Sequence, residues 1–141
     1  MKKRFGLLAV ALLTVLLAGN VFANHQPPVS LLNTIWAGDV TTVSTGGQVA
    51  QSVSFNITFT TESSDFTFYS GSFTINGGTA VVFSAIRSKN SFQITAPGYS
   101  ITATIAYHGC SGSKAVPAVL SVDGQNFSDG SMFQGIAIEE G

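Results

Sequence analysis

The chain has 141 residues, of which only 9% are charged, and its formal net charge is −1. This length suits one domain that buries roughly two thirds of the surface its unfolded chain exposes. So few cations provide no basic stripe for neutralising phosphates, so we expect no nucleic-acid partner and no anionic lipid surface.

Residues Met1 to Ala23 have the order of a cleavable secretory signal peptide. The cations Lys2 to Arg4 precede an apolar run from Leu7 to Ala18, and the small residue Ala23 closes the segment. The apolar run is shorter than the roughly 20 residues that a membrane-spanning helix needs. We therefore predict an exported protein, periplasmic or extracellular, with no transmembrane segment in its mature chain.

The mature chain that this cleavage predicts starts at Asn24. It retains three cations against seven acidic residues, which is a net charge of −4. Residues 24–30 contain Pro27 and Pro28, which disfavour a helix and predict an extended lead-in. A single domain is expected from 31 to 141.

From Leu31 onward, β-branched and aromatic residues alternate with small polar ones. The clearest predicted strand runs from Ser52 to Thr60, where four apolar residues share one face and Ser, Asn and Thr occupy the other. We predict the other strands at Ile35–Val43, 66–75, 81–85, 92–94, Ser100–Tyr107, Ala118–Val122 and Met132–Ile138. Turn residues between and after them, including Asp123-Gly124 and Asp129-Gly130, predict hairpin connections.

The run from 66 to 75 breaks the alternation. Phe66 and Phe68 have one parity, whereas Phe73 and Ile75 have the other, and Gly71 lies between the two pairs. A β-bulge or bend at Gly71 would restore one apolar face, so we predict one there.

About eight short strands without helical periodicity predict an all-β fold. Sequential antiparallel strands remove their exposed edges by closing, so we predict an up-and-down β-barrel, with a two-sheet β-sandwich as the alternative. The Ser and Thr faces point outward, unlike the lipid-facing surface of an outer-membrane barrel. The side chains predicted to line the interior, and any small apolar ligand in it, are Trp36, Phe55, Phe59, Phe68, Phe83, Phe92, Ile105 and Tyr107.

The segment from Leu32 to Gly38, with the sequence Leu-Asn-Thr-Ile-Trp-Ala-Gly, resembles the first strand of calycin barrels. This group includes lipocalins, fatty-acid-binding proteins and avidins. The resemblance implies that Trp36 is a structural plug at one barrel end. The chain differs from these families in two features. Lipocalins have an Arg late in the barrel, but no Arg follows Arg87 here, and avidins surround their ligand with several Trp residues, but Trp36 is the only Trp in this sequence. The resemblance therefore implies an architecture but no specific ligand.

The densest polar cluster runs from His108 to Lys114 and is rich in Gly and Ser. Cys110 and His108 could act as a nucleophile and its base, but no third group is evident to orient the imidazole. Ser111 and Lys114 have the Ser-x-x-Lys spacing, which functions only on a helix. We interpret the cluster as a connecting loop and predict no catalytic residues. Cys110, the only cysteine, is either a buried inert thiol or a site of pairing between chains.

Metal ligands are too scattered to predict a site. His25 lies in the lead-in and His108 is the only other histidine, whereas a closed zinc site needs four clustered ligands. Asp123 and Asp129 are each followed by Gly and are interpreted as turn formers. The sequence predicts no metal and no cofactor.

Three functional hypotheses follow. The first is an exported non-enzymatic protein that binds a small apolar ligand inside the barrel or a surface partner through its loops. The second is a structural or envelope-associated protein that forms a homo-oligomer. The third, which the cluster around His108 and Cys110 supports only weakly, is a hydrolase.

Overall fold

The structure is a computed structural model that describes residues 29–46, 50–111 and 114–141, without the side chains of 108–111 and 114–118. The predicted signal peptide and most of the predicted lead-in lie outside these ranges. Within them no helix is long and apolar enough to cross a membrane.

The eight strands form one closed antiparallel barrel in chain order, with β1 paired to β8. This confirms the all-β, up-and-down barrel and excludes the two-sheet sandwich. The strands are β1 (Ile35–Val43), β2 (Ala50–Glu62), β3 (Phe68–Ile75), β4 (Val81–Ser88), β5 (Ser91–Ala96), β6 (Tyr99–Ser111), β7 (Lys114–Asn126) and β8 (Met132–Glu139).

Alternation along each strand builds the core. In β2 the buried positions are every second residue from Val53 to Phe59, because successive side chains of a strand point to opposite faces. The same period in the other strands directs one apolar row per strand into the barrel. Leu31, which precedes β1, joins this core and is fully buried.

Two glycines allow the first and last strands to meet. Gly38 of β1 pairs with Ala137, and Gly135 of β8 pairs with Val40. A Cβ atom at Gly38 would overlap the carbonyl oxygen of Ile136, and one at Gly135 would overlap the carbonyl oxygen of Asp39. Closure of the barrel therefore depends on close backbone approach at both positions.

The prediction of a bulge at Gly71 is wrong, because the bulge lies in the neighbouring strand β2. β3 runs regularly through Gly71, and the register shift falls in β2 between Phe59 and Thr61. Consequently Phe68, which the sequence predicted to face the interior, lies on the outer face with 56% of its surface exposed. Tyr69 takes the inward position and is buried.

Two predicted connections are strand instead. Asp123 and Gly124 lie within β7, where they pair with Thr102 and Ile101. Gly124 is required there because a Cβ atom would overlap the ring of Phe133. The predicted loop at 108–114 is shorter than expected, since β6 continues to Ser111 and β7 begins at Lys114.

The barrel has two different ends. The lead-in end is the one where Trp36, Tyr69 and Arg87 lie, next to the segment that precedes β1. The opposite end, which we call the mouth, carries the β5–β6 and β7–β8 turns. These two turns are joined by a hydrogen bond of 2.8 Å from the Phe127 N–H to the Gly98 carbonyl.

Candidate functional site

The structure brings most of the predicted lining residues together inside the barrel. Six of the eight predicted lining residues are at most 2% exposed, namely Trp36, Phe55, Phe59, Phe83, Phe92 and Ile105. Tyr107 is half-buried at the lead-in end, and Phe68 lies outside on the surface.

The inward aromatic rings pack against each other. The ring of Phe59 lies 5.8 Å from Tyr69, 5.6 Å from Phe83 and 5.8 Å from Phe92 between centroids. These are ordinary separations for edge-on and tilted aromatic pairs. A side chain beside a void wide enough for water keeps accessible surface, and these rings have almost none. Among the described residues, the centre of the barrel is therefore filled by side chains.

The lead-in end is closed by the segment before β1. Leu31 is fully buried, and its backbone N–H donates to the Glu62 carboxylate at 2.9 Å. Trp36 is also fully buried, and its indole Nε1 donates to the Thr34 hydroxyl at 2.9 Å. This arrangement agrees with the plugging position that the calycin resemblance implies for Trp36.

Arg87 is the buried cation of this end, with 8% of its surface exposed. Its guanidinium donates to the carbonyls of Lys89 and Val29 and to the hydroxyls of Tyr69 and Tyr107, at 2.8 to 3.0 Å. It also lies over the ring of Phe92, 5.2 Å from the centroid. Neutral oxygen atoms thus surround the guanidinium charge, and these hydrogen bonds connect the lead-in to strands β3, β4 and β6.

Burial raises the pKa of the Tyr69 phenol above its usual value of 10.0, although the Arg87 guanidinium acts in the opposite direction. The phenol therefore stays neutral at physiological pH. A neutral hydroxyl that accepts from Arg87 has a structural part in closing the lead-in end.

The mouth holds a concavity of about 430 Å³. Its floor is apolar, formed by the buried residues Val53 and Phe133 and the half-buried Ile75. Polar side chains surround this floor. They are Thr42, Ser44, Gln51, Asn76, Tyr99, Asn126, Asp129 and Ser131.

Local turn chemistry orients the polar groups at the mouth. The Asn126 side-chain oxygen accepts from the backbone N–H of Ser128 at 2.9 Å and from its hydroxyl at 2.6 Å. This directs the Asn126 amide nitrogen toward the Tyr99 hydroxyl at 3.4 Å. Hydrogen bonds from Ser131 lower the pKa of the Asp129 carboxyl below its usual value of 3.8, so it is ionised at neutral pH.

Sequence reasoning missed the mouth, although the sequence contains a signal for it. In four strands the last inward position before the mouth is polar or amphipathic instead of purely apolar. These positions are Thr42, Gln51, Tyr99 and Asn126. The alternation of inward and outward positions, extended to the end of each strand, identifies these four residues. The prediction of lining residues rests only on apolar inward positions and therefore does not include them.

A second concavity, about 790 Å³, lies on the outer face of β6, β7 and β8. Its lining alternates Ser and Thr with exposed apolar residues such as Phe127, Met132 and Ile136. Most of its side chains are exposed, whereas the mouth gathers half-buried and exposed polar groups around a largely buried apolar floor. We therefore take the mouth as the candidate site.

The predicted chemical cluster cannot be placed at the mouth. The side chains of His108, Cys110, Ser111 and Lys114 lie outside the described residues, and their backbones belong to strands β6 and β7 at the lead-in end. In the part of the chain that the structure describes, no three His, Cys, Asp or Glu residues group as metal ligands.

Comparison of the chain with known protein families, with curated proteins and with solved structures finds no match. The barrel itself, with eight antiparallel strands closed in chain order, is compatible with the calycin architecture.

Proposed function

We propose that this chain is an exported, non-enzymatic binding protein whose filled, calycin-like barrel is a rigid scaffold for a binding site at the mouth. The observation that carries this proposal is the contrast between the two regions. The interior side chains are 0 to 8% exposed, whereas the mouth combines a largely buried apolar floor with polar groups that are half-buried or exposed. Export rests on the predicted signal peptide.

The mouth has the properties of a small-ligand site. Such sites are concave, usually enclose about 300 to 1,000 Å³, and combine an apolar lining with a few oriented polar groups; the mouths of β-barrels are a common place for them. Strands on the barrel wall hold the floor, and the hydrogen-bonded turns hold the polar groups. A rigid site of this kind loses little conformational entropy on binding.

Self-association is the second candidate, because β1 and β8 expose a strip of large apolar side chains. This strip is defined by Ile35, Val43, Met132, Ile136 and Ile138, which are 39 to 58% exposed. Apolar surface of this kind is often covered by a partner. A second copy would cover it in a homo-oligomer, as the structural hypothesis requires.

Native mass spectrometry of residues 24–141, purified gently from the source organism, tests both candidates. We expect a monomer carrying a small adduct that is lost on denaturation. The variant Gln51→Trp places a large ring at the rim of the mouth and should lose the adduct. The matched control Gln93→Trp makes the same change at an exposed position on β5 and should retain it.

The other outcomes are also informative. An adduct that survives in Gln51→Trp would place the ligand away from the mouth and contradict the proposal. A bare oligomer that dissociates when Ile136 is replaced by Ser would favour self-association through the strip on β1 and β8.

A further inference from the structure

The described lining of the mouth carries negative charge and no positive charge. Among the described residues that line it, the one ionised side chain is the Asp129 carboxylate, and none is Lys, Arg or His. A bound phosphate or carboxylate would lose its hydration without gaining an opposite charge. The site is therefore unsuited to anionic ligands.

The remaining polar groups both donate and accept hydrogen bonds. They are the amides of Gln51, Asn76 and Asn126 and the hydroxyls of Thr42, Ser44, Tyr99 and Ser131. A ligand hydroxyl has the same double capacity, so a ligand with several hydroxyls can satisfy such a ring of groups. A purely apolar ligand would leave them without partners at a cost of about 1 to 3 kcal/mol for each buried group.

The floor adds an apolar face of limited size. Phe133 and Val53 lie at the base, and the Tyr99 ring stands beside them. Tyr99 is held by edge contacts, with its centroid 5.2 Å from Phe73 and 6.4 Å from Phe133. An apolar floor with a polar rim matches a ring that carries C–H groups on its face and hydroxyls at its edge.

A peptide partner fits this geometry poorly. Recognition of an extended peptide by strand addition needs a free sheet edge. Each of the eight strands is paired on both sides in the closed barrel, so the described strands present no such edge. The mouth instead offers side chains that converge on one concavity.

We infer that the ligand of the mouth is a neutral polyhydroxylated molecule of the saccharide class, bound over Phe133 with the Tyr99 hydroxyl as one of its hydrogen-bond partners. This inference rests on the proposed binding function of the mouth and specifies its ligand chemistry.

Backbone-amide NMR of residues 24–141 tests the inference with sugars of matched shape. Glucose, maltose and N-acetylglucosamine are the neutral probes, and glucuronate and glucose 6-phosphate are the anionic ones. We expect at least one neutral probe to shift the amide signals of Gln51, Asn76, Tyr99 and Asn126. Its affinity should be at least about 10-fold higher than that of either anionic probe, which corresponds to about 1.4 kcal/mol.

The variant Tyr99→Phe identifies the hydroxyl contribution. It keeps the ring and its packing but removes one hydrogen-bonding group, so we expect binding of the neutral probe to weaken about 3- to 10-fold. Tyr107→Phe makes the same change at the lead-in end and should leave the affinity unchanged.

The results separate this inference from the proposed function. If an anionic probe or decanoate shifts the mouth signals more strongly than every neutral sugar, the saccharide inference is overturned and binding at the mouth stands. If no neutral sugar shifts any signal at tens of millimolar, the inference also fails, whatever adduct the native protein carries. If a sugar shifts signals only at the outer groove on β6 to β8, both are wrong.

Discussion

At the scale of single residues, Arg87 shows how a charge is kept inside a small barrel. Its donors are matched by two carbonyl and two phenol oxygens, and its guanidinium carbon lies over the ring of Phe92. Burial of a cation is costly unless such partners are present. Arg87 therefore contributes, with Leu31 and Trp36, to closing the lead-in end.

Replacement of Arg87 by Met should destabilise the protein. The variant removes the four hydrogen bonds and leaves buried acceptors without donors, so we expect the free energy of unfolding to fall by about 2 to 3 kcal/mol. Urea denaturation of residues 24–141 measures this. The control Lys89→Met removes an exposed cation two residues away and should cost less than about 0.5 kcal/mol. Equal losses in the two variants would contradict the account.

The Tyr69 phenol predicts a dependence of stability on alkaline pH. Its pKa is raised in the folded protein, so the unfolded chain loses the proton at lower pH than the folded one. The contribution is present below the usual pKa of 10.0 and is lost as the pH rises toward the folded value.

Urea denaturation from about pH 8 to about pH 11 checks this sign. The free energy of unfolding should fall more steeply in the native chain than in Tyr69→Phe, which has no phenol at this position. Tyr99→Phe is the control and should keep the steep slope. A Tyr69→Phe profile that runs parallel to the native profile would show that this phenol is not responsible.

Phe68 and Tyr69 show why residue-level predictions from sequence are incomplete. Hydrophobicity favours Phe68 as the inward residue, but the structure exposes Phe68 and buries Tyr69. The regular register of β3 gives Tyr69 the inward position, where its hydroxyl accepts a hydrogen bond from Arg87 at 3.0 Å, 18 residues away in sequence. A partner so distant in sequence cannot be read from local alternation.

At the scale of strands, alternation predicted the elements well and their ends poorly. β1 begins and ends where its pattern does, at Ile35 and Val43. β7 extends well beyond Ala118–Val122, because Gly124 and Asn126 continue its inward row without being apolar. Pattern reasoning counts apolar side chains, so it stops where a glycine or an amide takes an inward position. That same limit concealed the mouth.

The pairing of β1 with β8 predicts the effect of Gly38→Ala. The new methyl group would overlap the Ile136 carbonyl oxygen, a backbone atom that cannot move without breaking the ladder. We expect a loss of about 3 kcal/mol or more in the free energy of unfolding. Gly141→Ala is the control, since nothing lies within 4 Å of a Cβ atom there.

Thermal denaturation monitored by circular dichroism compares these two variants with the native chain. A Gly38→Ala variant as stable as Gly141→Ala would mean that β1 and β8 are not closely paired in solution. The barrel would then be open between its first and last strands.

At the scale of the whole molecule, the regions that hold the fold together differ from the region proposed to bind a ligand. The interior is committed to packing, and the lead-in end is closed by Leu31, Trp36 and Arg87. In the described part of the chain, the mouth combines an apolar floor and a polar rim around a concavity within the barrel. Sequence composition predicted an aromatic interior, but whether such residues fill a barrel or line a cavity depends on packing in three dimensions.

Benzene binding shows whether the barrel interior is filled, and it is followed through the methyl signals of Ile57, Ile94, Ile101, Ile105 and Leu120. Benzene enters dry apolar cavities that are large enough to hold it. We expect benzene to cause no shift of these methyl signals in the native chain. We expect clear benzene-dependent shifts in Phe59→Ala, because this variant opens a cavity, and it should lose about 3 to 5 kcal/mol in the free energy of unfolding. Benzene-dependent shifts of the interior methyl signals in the native chain would contradict the filled barrel and restore binding inside it.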